Sequence, residues 1–171
     1  MSRGQSQPLQ PWVWLGGPML ACVVATLLLA VPLKVFGVTL PEPVFAMVPA
    51  FAWAVIRPSL LGPFALLLLG LFNDLFWGGP LGLWASSLLL GYFGALIARS
   101  LIMGQSAPVL WGWYAFLTFL AFAAAYLFSL FDSGVVPNLT ATLLQFAVTA
   151  ALYPLAHRLI DRFEDADIRF R

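Results

Sequence analysis

The sequence predicts an all-α integral membrane protein, a bundle of six transmembrane helices with both termini in the cytoplasm. Hydrophobic residues make up 62% of the 171 residues and charged residues only 9%, whereas about a quarter of a soluble domain is charged. Long apolar segments occupy most of the chain. Arginines are concentrated in alternate connections. We therefore predict one transmembrane domain over residues 1–171, ending in a short cytoplasmic tail at 161–171.

Proline, glycine and charged residues separate six predicted spans. In chain order the spans cover roughly residues 12–33, 44–56, 60–76, 83–102, 109–131 and 139–160. All six are predicted to be helices, because lipid offers the backbone of an open chain no hydrogen-bond partner. The first apolar stretch is longer than the core of a signal peptide, so we interpret it as a retained span.

The second span is unusually short. Its 13 or so residues would rise only about 20 Å as a helix, against a hydrocarbon core of about 30 Å. Pro49 is also expected to interrupt the hydrogen bonds of this helix. Three solutions are open: the span includes residues 40–43, the bilayer is thinner here, or the segment lies partly inside the bundle.

The distribution of basic residues predicts the orientation. With six spans and both termini inside, Lys34 is the one basic residue on the outer side. The inner side then holds seven arginines, namely Arg3, Arg57, Arg99, Arg158, Arg162, Arg169 and Arg171. Such an excess on the cytoplasmic side is typical of multi-pass proteins of the bacterial inner membrane. Removing one span would break the asymmetry, so it also supports the short second span.

The stretch GLFNDLFWGGPLGLW, residues 70–84, places Asn73 and Asp74 at the end of an apolar run. An unbroken helix starting at Arg57 would carry Asp74 about 25 Å outward, close to the outer boundary of the bilayer core. A proton relay or a voltage sensor would need a deeper acid. Neither role is therefore predicted for Asp74.

A sharp turn is predicted immediately after this acid. The C-terminal end of a helix carries a partial negative charge, so a carboxylate at Asp74 needs a compensating partner. In the following FWGGP sequence, Gly78 and Gly79 are free to adopt positive φ, and Pro80 suits the first turn of the next helix. The turn brings the start of the fourth span back toward the acid.

Two roles for Asp74 remain open. In the first, its carboxylate accepts hydrogen bonds from unpaired N–H groups around residues 81–83, or from the hydroxyl of Ser86 or Ser87. It would then tie one helical hairpin together. In the second role, Asp74 and the adjacent Asn73 are offered to a basic or amide group of a partner protein at the outer edge. A catalytic or ion-binding acid is disfavoured, because the sequence supplies no second ligand or base.

Small residues repeat every four positions on the fourth span, at Ser87, Gly91 and Ala95. A stripe of this kind lets another helix approach closely. It either packs against a helix of the same bundle or receives a helix of a partner. Ala121 and Ala125 on the fifth span have the same two interpretations.

Other polar residues fall within or beside the last span. Gln145, with Thr140, Thr142 and Thr149 nearby, is interpreted as a source of hydrogen bonds between helices. His157 lies at the cytoplasmic end of this span, where a cation suits the helix terminus. A catalytic role for this histidine is not predicted.

The usual signatures of enzymes, pumps and nucleic-acid-binding proteins are missing from the sequence. It contains no HExxH motif, no paired carboxylates within a span and no glycine-rich phosphate loop. Cys22 is the one cysteine, so neither a disulfide nor a thiolate metal cluster can form within the chain. No basic surface is available for nucleic acid. We predict no catalytic residue, no cofactor and no metal site, and the lipid bilayer as the surroundings.

The segment RPSLLGPFALLLLGLFNDLFWGGPLGLWASSLLLGYF, residues 57–93, resembles the bacterial rod shape-determining protein MreD family. The resemblance follows the pattern Gly-x3-Asp-x6-Leu-Gly-x2-Ala after an Arg-Pro turn. The matching residues are Arg57, Pro58, Gly70, Asp74, Leu81, Gly82 and Ala85. Chain length, six predicted spans and short connections also fit this family.

The resemblance implies a non-enzymatic component of the inner membrane that acts in lateral peptidoglycan synthesis. MreC would be the most direct partner, and the actin-like MreB and the cell-wall transpeptidase and glycosyltransferase would belong to the same complex. Asp74 and the WGGPLG turn would then shape the packing surface or contact a partner.

A different class of protein is the alternative. Substrate-binding membrane subunits of vitamin or metal transporters are six-helix bundles of similar size, and the MreD fold is similar to theirs. The FWGGP turn could belong to an outer ligand site, and the small-residue stripe of the fourth span could face a transporter partner.

Overall fold

The computed structural model describes residues 12–29, 34–35, 38–39, 41–56, 58–134 and 136–168, with side chains at 14–29, 41–56, 58–132, 134 and 136–161. This part of the chain is helical apart from one small hairpin and the connecting turns, which confirms the predicted all-α class. A π-helical turn at Trp12–Gly16 leads into α1 (Gly17–Leu28). The remaining helices are α2 (Met47–Ile56), α3 (Leu61–Trp77), α4 (Leu83–Ile97), α5 (Arg99–Ile102), α6 (Ala107–Ser133), α7 (Leu139–Ala150) and α8 (Tyr153–Ile168).

A short antiparallel pairing follows α1. The strands β1 (Lys34–Val35) and β2 (Val38–Thr39) have two residues each, with Lys34 opposite Thr39. Residues 30–33, which end the predicted first span, lie outside the described residues.

Each predicted span contains a helix, and two of them match closely. α3 and α6 begin and end within two residues of the predicted third and fifth spans. The predicted fourth span is divided, because α4 ends at Ile97 and the one-turn helix α5 follows after Ala98. The predicted sixth span is divided into α7 and α8.

A proline explains the division between α7 and α8. Pro154 has no N–H group, so the carbonyl of Ala150, four residues earlier, loses its helical donor. The indole Nε1 of Trp111 in α6 donates to this carbonyl instead, at 3.2 Å. The bend is thereby compensated by a side chain of the neighbouring helix.

α2 lies at the centre of the bundle, with α3, α4 and α8 packed around it. All residues from 47 to 55 are buried. The ring of Phe51 lies edge-on to that of Tyr114 in α6, with centroids 5.5 Å apart, and Trp53 Nε1 donates to the carbonyl of Trp14 at 3.1 Å. A helix that is apolar on every side is buried on every side. Of the three solutions for the second span, the structure therefore has enclosure within the bundle.

The prediction that Pro49 interrupts this helix is wrong. α2 begins at Met47, so Pro49 is its third residue. The N–H groups of a first turn have no partner within the helix, and a proline there removes no hydrogen bond.

Two helices among the described residues are long and apolar enough to cross a membrane. They are Ala107–Asp132 and Leu139–Asp161, the second of which continues through the bend before Pro154. The apolar helices Trp14–Leu28, Met47–Ile56, Leu61–Trp77 and Leu83–Ile97 are shorter.

Candidate functional site

The candidate site is the hairpin formed by α3 and α4, with Asp74 in the last turn of α3. Asp74 follows Gly70 by one helical turn and lies on the buried face of α3. Its exposed fraction is 1%, and that of the adjacent Asn73 is 5%. A carboxylate this buried requires hydrogen bonds to remain charged.

The Asp74 carboxylate binds the start of α4. Its Oδ2 accepts a hydrogen bond from the backbone N–H of Gly82, and its Oδ1 accepts one from that of Trp84, each at 2.8 Å. The first N–H groups of a helix have no partner within the helix and carry a partial positive charge. One negative side chain therefore satisfies two of these donors and offsets the charge of the helix end.

The backbone of Asp74 also closes the end of its own helix. Its carbonyl accepts hydrogen bonds from the N–H groups of Gly78 and Gly79, the second at 3.1 Å. Gly78 has φ of 65°, the left-handed conformation common after a helix C-terminus. Asp74 thus fixes both helix ends that meet at this turn.

The turn differs in detail from the predicted one. The two positive φ angles belong to Gly78 and to Gly82, at 95°, whereas Gly79 does not have one. Pro80 lies before α4, not in its first turn, and its carbonyl accepts from Leu83 N at 3.2 Å. The left-handed Gly82 points its N–H toward the carboxylate, which the prediction did not anticipate.

The two helices are in direct backbone contact one turn below Asp74. A Cβ atom added to Gly70 would lie 2.5 Å from the backbone N of Ala85 and closer still to its Cα. Gly70 is therefore required by the close approach of α3 and α4. The short distance between the helices keeps Asp74 within reach of the α4 amides.

The serine hydroxyls suggested as alternative partners of Asp74 bond elsewhere. Ser86 Oγ donates to the carbonyl of Gly82 at 2.6 Å, and Ser87 Oγ donates to that of Leu83 at 2.7 Å. Both bonds are local to α4. The carboxylate is therefore bound by backbone amides, as in the hairpin role, and its burial leaves no exposed oxygen for a partner.

The stripe of Ser87, Gly91 and Ala95 is buried inside the bundle. A Cβ atom at Gly91 would lie 3.1 Å from the terminal methyl of Met47 in α2 and 3.9 Å from the Cβ of Ala121 in α6. The stripe therefore receives two helices of this chain, and it is not open to a partner.

Several predicted site residues come together and others do not. Gly70, Asp74, Gly82 and Ala85 form one contact unit between the two helices. Leu81, the fifth residue of the MreD-like pattern, is 66% exposed at the turn. Arg57 lies outside the described residues.

Sequence reasoning missed three polar contacts that hold the bundle together. Trp84 contributes its amide to Asp74, although the unpaired donors were expected at residues 81–83. Arg99 Nε donates to the carbonyl of Val55 at 3.0 Å, at the end of α2. Its position on the inner side was noticed only as a charge. A cation within reach of a short helix terminus was the available signal.

Gln145 and Thr149 do bond to another segment, but not to a helix. Gln145 Nε2 donates to the carbonyl of Glu42 at 2.9 Å, and Thr149 Oγ1 accepts from the N–H of Val44 at 3.1 Å. Both partners belong to the non-helical segment before α2. His157 pairs with Asp161, with 3.0 Å between Nδ1 and Oδ1.

The arrangement around Asp74 acts as a clamp. Both hydrogen-bond partners of its side chain are backbone amides, so no acid–base pair or nucleophile is formed there. Within the described part of the chain, no three histidine, cysteine or acidic side chains are grouped as a metal site would require.

Comparison of the chain with protein-family models, with curated proteins and with solved structures gave no match.

Proposed function

We propose that this protein is a non-enzymatic scaffold of the bacterial cell-elongation machinery, similar in role to MreD. The observation that supports the proposal is the unit of Gly70, Asp74, Gly82 and Ala85. These residues carry the sequence resemblance, and they are the residues that hold α3 against α4. The spacing of the pattern therefore follows from the geometry of one hairpin, and chance similarity between apolar helices would not require it.

The proposed location is the bacterial inner membrane, with six crossings and both termini in the cytoplasm. Two helices have the necessary length and composition, and the arginine distribution favours this orientation. Large apolar side chains on α3, among them Phe64, Leu68 and Leu75, are exposed by 59% to 71%. Such a surface suits a hydrocarbon environment, since a soluble monomer rarely exposes so continuous an apolar face.

The proposed partners are membrane and cell-wall proteins. MreC is the direct partner in this proposal, and MreB and the peptidoglycan transpeptidase and glycosyltransferase belong to the same complex. Because the small-residue stripe is occupied internally, a partner helix would have to pack on an outer face of the bundle. The clamp at Asp74 would keep the α3 and α4 faces in a fixed relation for that contact.

Depletion in the native bacterium tests the proposal. Loss of the protein should convert rods into rounded cells, and affinity capture from native membranes should recover MreC and cell-wall enzymes. The Asp74→Asn variant should restore rod shape less well than wild type, whereas the exposed Asp132→Asn variant should restore it fully. Recovery of transporter ATPases without cell-wall proteins, or a nutrient requirement with normal shape, would contradict the proposal.

The substrate-binding subunit of a transporter is the second candidate, and one observation favours it. A cavity of about 250 Å³ lies between α1, α2 and α8, with Cys22, Phe45, Pro49 and Leu155 in its wall. The lining is almost wholly apolar, whereas sites for small molecules also place a few polar groups for orientation. The cavity therefore suits a vitamin or a metal ion poorly, and we prefer the scaffold.

A further inference from the structure

We infer that the second crossing of the membrane is made in two unlike halves. Residues 41–44 cross the outer half as non-helical chain that lines a water-filled cleft open to the outside, and α2 crosses the inner half. The inference rests on the six-crossing arrangement of the proposed function. It explains how so short a helix can belong to a spanning segment.

The contact between Val44 and Thr149 fixes the depth at which α2 begins. The Val44 N–H donates to Thr149 Oγ1 at 3.1 Å, immediately before the first turn of α2. Thr149 follows Leu139, the first residue of α7, by ten residues, or about 15 Å of helix. It is therefore near the middle of the membrane-spanning stretch Leu139–Asp161. The N-terminal end of α2 lies at the same mid-depth.

The opposite end of α2 reaches the inner side. Its 10 residues rise about 15 Å, half of a hydrocarbon core of about 30 Å. At that end Arg99 Nε donates to the carbonyl of Val55 at 3.0 Å. A cation there complements the partial negative charge of the helix terminus. α2 thus accounts for the inner half of the crossing and no more.

The outer half can be covered by four residues in an extended conformation. Extended chain advances about 3.3 Å per residue, so residues 41–44 can span about 13 Å. The proline rings fix φ at Pro41 and Pro43, and a residue that precedes proline, as Glu42 does, is restricted to extended conformations. The sequence PEPV therefore favours the geometry that this distance requires.

The polar groups of this segment are largely accounted for. Pro41 and Pro43 have no N–H group, so two donors are missing from the outset. Gln145 Nε2 donates to the carbonyl of Glu42, and the carbonyl of Pro43 accepts from Phe45 N at 3.1 Å. With the bond from Val44 to α7, little unpaired backbone remains. Non-helical backbone at membrane depth is tolerated under these conditions.

Exposure of the segment indicates water on its open side. Pro41, Glu42 and Pro43 are partly exposed, whereas every residue of α2 up to Val55 is buried. A carboxylate at Glu42 facing hydrocarbon would be costly, because charged side chains within the membrane face protein or water-filled cavities. The cleft therefore ends where α2 begins.

Cysteine accessibility tests the inference on the full chain in native membranes. The starting protein is a Cys22→Ala variant, which has no thiol. Single cysteines are placed by Glu42→Cys in the segment, Ala50→Cys in α2, Val136→Cys in the outer loop and Gln105→Cys in the inner loop. A membrane-impermeant maleimide is then added to the outer side only. The Glu42 side chain makes no hydrogen bond of its own, since its backbone carbonyl binds Gln145.

The expected result is reaction of Val136→Cys and of Glu42→Cys at rates within about tenfold of each other, because the reactive thiolate forms only in water. Ala50→Cys and Gln105→Cys should remain unlabelled until the membrane is permeabilised, and Ala50→Cys should react poorly even then. Labelling of Val136→Cys without Glu42→Cys would overturn the cleft and leave the six crossings standing.

Two other outcomes are equally informative. External labelling of Gln105→Cys would overturn the six-crossing topology itself. Rapid external labelling of Ala50→Cys would show that α2 is not enclosed and would overturn the inference alone. If Glu42→Cys protein is not recovered, Pro41→Cys probes the same segment and should give the same result.

Discussion

Replacement of Asp74 by asparagine removes the charge of the clamp while keeping the shape of the side chain. In the wild-type protein both carboxylate oxygens accept hydrogen bonds from backbone N–H groups, at 2.8 Å each. The asparagine amide has one oxygen and one NH₂ group, so it can accept from Gly82 or from Trp84 but not from both. One N–H group is left facing a second donor.

The expected loss of stability follows from these two bonds. A hydrogen bond to a charged group contributes about 1.5–3 kcal/mol, and a neutral one contributes about 1 kcal/mol. Loss of one bond and weakening of the other should reduce the free energy of unfolding by about 3 kcal/mol. For a chain of this length such a change corresponds to a decrease of about 6–12 °C in Tm.

Thermal unfolding in detergent, followed by tryptophan fluorescence, measures this decrease. The control is Asp132→Asn, because Asp132 is exposed at the end of α6 and its replacement should change the free energy by less than about 0.5 kcal/mol. Equal midpoints for Asp74→Asn, Asp132→Asn and wild type would refute the interpretation of Asp74 as a clamp.

The same assay tests two further contacts. Gly70→Ala should decrease the free energy of unfolding by about 3 kcal/mol, because the added methyl group meets the backbone of Ala85 and forces the helices apart. Arg99→Gln should decrease it by about 1 kcal/mol, because the carbonyl of Val55 loses a charged donor at a partly exposed site.

Each variant has a matched control. Gly79→Ala changes a glycine of the same turn where an added Cβ meets no atom within 4 Å, and it should leave Tm unchanged. Arg158→Gln removes an exposed arginine near the same side of the bundle, and it should also be neutral. If a control destabilises as much as its partner variant, the contact is not the cause.

Much of the helical content could be predicted from the sequence because apolar segments in lipid have few alternatives. The bounds of α3 and α6 were within reach, since glycine, proline and serine mark their ends. The division of the last span at Pro154 was also signalled, although the prediction treated residues 139–160 as one helix. Local sequence therefore determines most of the helices.

The enclosure of α2 could not be predicted in the same way. Its sequence is apolar on every side, and this property fits a helix surrounded by lipid as well as one surrounded by protein. The distinction depends on contacts with residues distant in the chain, such as Tyr114 and Thr149. Similarly, the candidate partners of Asp74 could be limited to one turn, but the left-handed Gly82 that orients the amide depends on the packed hairpin.

The clamp at Asp74 has a consequence for biogenesis. While the ribosome is still producing the turn, the acid lacks both donors, because the amide of Trp84 follows it by ten residues. A solitary α3 would thus enter the bilayer with an uncompensated charge near its leading end. We expect the translocon to release α3 and α4 as a pair, with the newly made turn neutralised before lipid surrounds it.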